Sequence, residues 1–188
     1  MSTAGPHARA YLQFYKIALE YYVGGRAALL SGNTLITGNL FHHAVEMLLK
    51  GHLSKTVPLT QLKDQKKRGH NISKLWTAFR DTVPSDDLTE FDTMIDDLDK
   101  FEKIRYPDDI LAHGASITVG FVRRQPVTNM APGRPEPAYQ IGVRDVDAFF
   151  ARLFPLCRLN PTAYFGHLTR HGPEVLTYEN DESKNWLL

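Results

Sequence analysis

The stretch LFHHAVEMLLKGHL, residues 40–53, constrains the fold of this chain more than any other. At about 100° per residue, Ile36, Leu40, Phe41, Ala44, Val45, Met47, Leu48, Leu49 and Gly51 cover well over half of a helix circumference. A helix so widely apolar needs neighbours on most sides, which places residues 35–53 at the centre of a helical assembly. The rest of the circumference is one narrow stripe of Asn39, His42, His43, Glu46 and Lys50. Polar side chains on a central helix either face a groove or pair with one another inside the bundle, because a buried polar group left unpaired is costly.

The flanking sequence supplies the neighbours. Residues 8–30 read as a first helix, with Tyr11, Phe14, Ala18, Tyr22 and Leu29 at roughly helical spacing. Gly24 and Gly25 interrupt it, marking a close helix–helix approach or a kink. After a polar, basic loop, Asn71 is a suitable N-cap for a short helix carrying Ile72, Leu75, Trp76 and Phe79. Val83-Pro84-Ser85-Asp86-Asp87 stops one helix and starts another, with Ser85 as the expected cap. That fourth helix carries Leu88, Phe91, Ile95, Leu98 and Phe101, and Pro107 ends or redirects it. Residues 117–122 and 138–143 have strand composition around a Pro- and Gly-rich loop, so residues 115–143 read as a small β-hairpin-like insertion before the last helix. Asp145 opens that helix, which presents Val146, Phe149, Phe150, Leu153 and Phe154. Asn160-Pro161 caps a short turn, and residues 172–188 read as a loosely held C-terminal tail that Trp186 can anchor. The expectation is a mainly α fold, one domain over residues 1–188.

A formal net charge of +1 gives the chain no global attraction for nucleic acid or anionic lipid, so any polyanion contact must use a local patch. The single cysteine, Cys157, excludes an intrachain disulfide framework and points to a reducing, cytoplasmic setting. Residues 1–9 lack the apolar core of a signal peptide, and no apolar run is long enough to span a bilayer, so no membrane partner is expected.

Three constellations carry possible chemistry. His42 and Glu46, four apart, share a helix face with His43 nearby, and His70 can approach from the short helix. With no HExxH and no cysteine cluster, the expectation is a hydrogen-bonded polar stripe around Glu46, with neither a metal nor another cofactor. If the stripe faces a groove, His42, Glu46, Lys50 and His70 line it for a nucleotide or peptide. The basic run Lys63, Lys66, Lys67 and Arg68, beside His70, either grips phosphates or is a solvated loop; Arg123, Arg124 and Arg134 can add to a basic surface. Arg105 and His113, near one helix end, suit metal-independent RNA cleavage. The imidazole handles the 2′-hydroxyl or leaving-group proton, and the guanidinium holds the phosphate. The alternative has Arg105 paired with Asp108 or Asp109 and His113 in a surface turn. There is no GxxxxGK[ST] or Rossmann glycine fingerprint. Cys157, among apolar residues, reads as core.

The segments AVEMLLKGHL (residues 44–53), GHNISKLW (residues 69–76) and KIRYPD (residues 103–108) together resemble a HEPN (higher eukaryotes and prokaryotes nucleotide-binding) domain. The resemblance covers residues 8–113 and extends to the last helix with an insertion. It implies an up-and-down bundle of four to five helices, often a homodimer. Many members are metal-independent endoribonucleases of toxin or defence systems; others are non-catalytic and bind nucleotides, RNA or protein partners. A further possibility for this chain is a structural dimer that supports a partner such as a nucleotidyltransferase. The family site is an arginine and a histidine separated by four to six residues and paired across the dimer. Here the corresponding residues are Arg105 and His113, with seven between them; Tyr106 stands where a polar residue is common, and Pro107 interrupts the helix.

Overall fold

The computed structural model describes residues 10–63, 69–103, 108, 111–112, 116–123 and 138–187. Helix α1 (Ala10–Leu30) and helix α2 (Thr34–Leu53) form an antiparallel pair joined at Gly32, whose φ of 76° suits a residue without a side chain. Their closeness is set by glycine. A Cβ on Gly25 would stand 2.8 Å from the Phe41 ring, and one on Gly51 would stand 2.6 Å from the Tyr15 ring. Gly25 therefore marks a close approach within one continuous helix, whereas a Cβ on Gly24 would stand 3.9 Å from Leu40.

Helix α2 packs against α1, the short helix α4 (Ile72–Arg80), α5 (Asp92–Lys100) and strand β1 (Ser116–Gly120). It is the central helix that its wide apolar face requires. Ile36 is the exception: it is 54% exposed, while Thr37 and Gly38 take the inward positions of that turn. Packing decides this, because the Phe101 ring lies where a side chain on Gly38 would project, 2.0 Å from an added Cβ.

Caps account for the short helices. A five-residue helix, α3 (Leu59–Lys63), precedes the basic loop. The Asn71 side chain accepts from the Lys74 N–H at 2.7 Å to start α4. Asp87, rather than the expected Ser85, starts the next element: its carboxylate accepts from the Thr89 N–H at 3.1 Å and the Thr89 hydroxyl at 2.7 Å. A 3₁₀ turn, Thr89–Phe91, then leads into α5.

Strands β1 and β2 (Ala138–Gly142) pair in parallel, Ser116 opposite Ala138 through Gly120 opposite Gly142. The expected hairpin is thereby corrected. A tight turn can only return a chain antiparallel, whereas residues 121–137 form a connection long enough to bring β2 back alongside β1 in the same direction. Strand composition says nothing about direction, so the sequence pattern could not separate the two arrangements. Gly142 passes against the Arg123 backbone, where a Cβ would stand 2.8 Å from the amide nitrogen, and the chain enters α6 (Val143–Leu156) directly.

After α6 come α7 (Pro161–Phe165), capped by Asn160 on the Thr162 N–H at 3.1 Å, then α8 (Gly172–Thr177) and a 3₁₀ turn at Asp181–Asn185. The tail is not loosely held. Leu176 is fully buried, and Trp186 stacks on Phe165 at 5.6 Å and meets Phe154 edge-on at 5.0 Å. The result is a mainly helical bundle with a small two-stranded β element before α6. Among the described residues no helix is long and apolar enough to cross a membrane.

Candidate functional site

Helix periodicity places His42, His43, Glu46 and Lys50 on neighbouring turns of one side of α2. His70 reaches the same point from another element. Gly69, at φ 37°, turns the chain into His70, and Asp99 on α5 holds the start of α4 just beyond it. One Asp99 oxygen accepts from the Ile72 N–H at 2.8 Å, and the other from the Asn71 amide at 3.3 Å.

Glu46 is the hub. It is fully buried, and its Oε1 accepts from Lys50 Nζ at 2.5 Å and meets His70 Nδ1 at 3.0 Å, while its Oε2 meets His43 Nδ1 at 3.2 Å. Burial alone raises the carboxyl pKa, but His43, Lys50 and His70 outweigh it and bring the group down to about 2. Glu46 is therefore an ionised hydrogen-bond acceptor with every side occupied, not a free proton acceptor. His42 makes its hydrogen bond outside this hub. Its Nδ1 meets the Leu98 carbonyl at 2.9 Å, so the proton belongs on Nδ1. Among the described residues its Nε2 has no hydrogen-bond partner, and it lies 3.5 Å from Glu102 Oε2. Burial lowers the His42 pKa and keeps the ring neutral, against the opposing pulls of the Leu98 carbonyl and Glu46.

Of the sequence-identified residues, His42, Glu46, Lys50 and His70 are thus brought together by pairing with one another and with the backbone. Only His70, with 46% of its side chain exposed, and His43, with 21%, offer solvent a substantial surface. A ligand on this face meets those two rings before it meets Glu46. Arg105 and His113 lie outside the described residues, as do Lys66, Lys67, Arg68, Arg124 and Arg134. Arg123 is described, and it pairs with Asp97 at 2.5 Å. Cys157 is buried, and burial pushes its thiol up to about 12, so it is an inert core residue.

Two polar groupings escaped the sequence reading. In the first, Arg26 is 1% exposed and holds both oxygens of Asp147 through Nη1 at 2.6 and 2.5 Å. It also donates to the Val175 carbonyl at 3.0 Å and to the Tyr178 carbonyl. Tyr22 donates to Asp147 at 2.5 Å and accepts from Asn180 at 3.0 Å. The available signal was Arg26 itself, which continues the inward face Tyr15, Ala18, Tyr22 at helical spacing. A charge at a core position requires a buried partner. In the second, a cavity of about 680 Å³ is bordered by Tyr11, Tyr15, His52, Lys55, Arg158 and Tyr164 among others. Lys55 donates to the Cys157 carbonyl at 2.8 Å and lies 5.3 Å from the centre of the Tyr15 ring. Burial and the Lys55 charge lower His52 to about 4, so its ring is neutral at physiological pH.

The donors on the α2 face decide what it can hold. One donor atom each from His42, His43 and Glu46 lies within 4.8 Å of the others, and the ionised Glu46 carboxylate supplies negative charge beside the two imidazoles. Searches against protein-family models, curated proteins and solved structures found no match to this chain.

Proposed function

We propose that this chain is a HEPN-like protein that binds RNA or a nucleotide, acting as a metal-independent endoribonuclease through Arg105 and His113. The observation that carries the reading is the Glu46–His70 contact at 3.0 Å, which joins the two segments on which the family resemblance chiefly rests. Residues 44–53 and 69–76 have no reason to meet unless α4 lies beside α2. In this reading Glu46 orients the His70 turn, and Lys67 and Arg68, immediately before it, take the phosphates. His113 moves the 2′-hydroxyl proton, and Arg105 stabilises charge on the phosphate. Two copies of the chain complete the site as a homodimer, in a cytoplasmic toxin or defence setting.

The test is cleavage of a panel of structured and single-stranded RNAs in EDTA by the wild type, His113→Ala and Arg105→Ala. The expected result is a loss on the order of 10²–10⁴-fold in either variant, the usual worth of a general acid–base group. Equal cleavage by all three refutes the assignment. A second reading is a non-catalytic binding module supporting a partner such as a nucleotidyltransferase. The full occupation of Glu46 by His43, Lys50 and His70 favours it, because that arrangement serves structure without any catalytic group. It predicts RNA or nucleotide binding without cleavage, weakened by Lys67→Glu and Arg68→Glu. Absence of binding at low salt removes both readings.

A further inference from the structure

We infer that His42, His43 and Glu46 form a site for a divalent transition-metal ion of the zinc class, which goes beyond the RNA reading and does not depend on it. Their donor atoms already lie within 4.8 Å of one another. The two imidazoles and one carboxylate are the donor set of many four-coordinate zinc sites, in which a water or a fourth side chain completes the shell. The decisive group is His42. Its ring is 1% exposed, and its Nδ1–H is committed to the Leu98 carbonyl at 2.9 Å. That hydrogen bond fixes the tautomer and leaves a lone pair on Nε2, which has no hydrogen-bond partner among the described residues. A buried acceptor held in one orientation by a backbone carbonyl and left without a proton is what a metal-ligating histidine presents.

Lys50 is the main objection, since an ammonium group beside a carboxylate repels a second cation. The two oxygens of Glu46 divide the work. Oε1 takes Lys50 and His70, while Oε2 faces His43. An ion bound through Oε2 leaves the Lys50 contact intact on the far oxygen. It displaces only the hydrogen bond at His43 Nδ1, whose lone pair then faces the ion while the ring proton sits on Nε2. Glu102, whose Oε2 is 3.5 Å from His42 Nε2, adds a second negative charge on the ion's side. Solvent meets the cluster at His43, whose side chain is 21% exposed, with Glu102 at its edge 31% exposed. Donor atoms around a tetrahedral ion stand about 3.3 Å apart, so rotation of His43 and Glu46 must close the remaining gap. Nitrogen-rich donors select zinc, cobalt or nickel over magnesium and calcium.

The experiment uses the full chain, stripped with EDTA, desalted and titrated with Co²⁺ and separately with Zn²⁺. Expected are one equivalent of Co²⁺ with visible d–d absorption and Zn²⁺ competition for the same site. On Zn²⁺ addition, the side-chain ¹⁵N signals of His42 Nε2 and His43 Nδ1 in the wild type should move, a readout that needs no substitution. His43→Ala and Glu46→Gln should each weaken binding at least tenfold, on the order of a lost ligand or supporting group. His70→Ala, on the opposite oxygen, should weaken it less than either. The proposal is overturned by absence of a Co²⁺ spectrum, by binding unchanged in both variants, or by ¹⁵N shifts confined to other histidines. No readout involves RNA, so its outcome is separable from that of the endoribonuclease reading.

Discussion

Replacing Glu46 by Gln keeps the side-chain shape and removes its charge, which makes it the sharpest test of the polar hub. The carboxylate is fully buried and accepts from Lys50, which has 8% of its side chain exposed. Removing one partner of such a pair leaves an uncompensated buried charge, at a cost of about 3–5 kcal/mol. The depressed pKa of Glu46 gives a second figure for the same contacts. Glu46 falls from an ordinary 4.5 to about 2 in the fold, which corresponds to about 3 kcal/mol of stability at neutral pH. Because the folded value is the lower one, that contribution is fully present above about pH 4.5 and is lost as pH falls toward 2. At pH 3 about 1.5 kcal/mol of it remains. Urea denaturation of wild type and Glu46→Gln in EDTA should therefore show a stability gap of about 3 kcal/mol at pH 7 that roughly halves by pH 3. In thermal melts the gap at pH 7 corresponds to a fall of about 6–12 °C. A gap under about 1 kcal/mol, or one that does not shrink with acid, refutes the description of Glu46 as an ionised, buried hub.

The neighbouring glycines of α1 should respond in opposite directions. Gly24→Ala places a methyl 3.9 Å from Leu40 and gains helix propensity, so it should stabilise by up to about 1 kcal/mol. Gly25→Ala meets the Phe41 ring at 2.8 Å and should destabilise by about 1–3 kcal/mol; equal effects in chemical denaturation would remove the close-approach account of the pair. Asp147→Asn should cost about 3–5 kcal/mol, because it leaves Arg26 charged and buried. It should also free the tail that Arg26 ties through the Val175 and Tyr178 carbonyls, so limited proteolysis should cut within residues 172–187 in the variant before it does in the wild type.

Local chemistry was legible wherever it rested on neighbours in the chain. Asn71 and Asn160 cap helices because a side-chain amide oxygen two or three residues from an open N–H needs nothing distant. The breadth of the apolar face on residues 36–51 announced a central helix for the same reason, since periodicity is a property of one segment. The stripe around Glu46 was visible as a set of residues, and its self-pairing followed from the cost of burying charge. Ser85 against Asp87 shows the margin of such reasoning: either can cap, and only the placement of the Thr89 amide chooses between them.

What the sequence by itself determined is therefore the helical class, the central helix and the identity of its polar side chains. Tertiary structure decided which of them solvent reaches, that β1 and β2 run parallel, and that the C-terminal tail belongs to the core. It also decided that Ile36 faces outward while Gly38 receives a phenylalanine ring. The physical reason is common to all of these. Each depends on a partner far along the chain — Phe101 for Gly38, Val175, Tyr178 and Asp147 for Arg26, Ala138 for Ser116 — and local periodicity holds no record of where that partner will arrive.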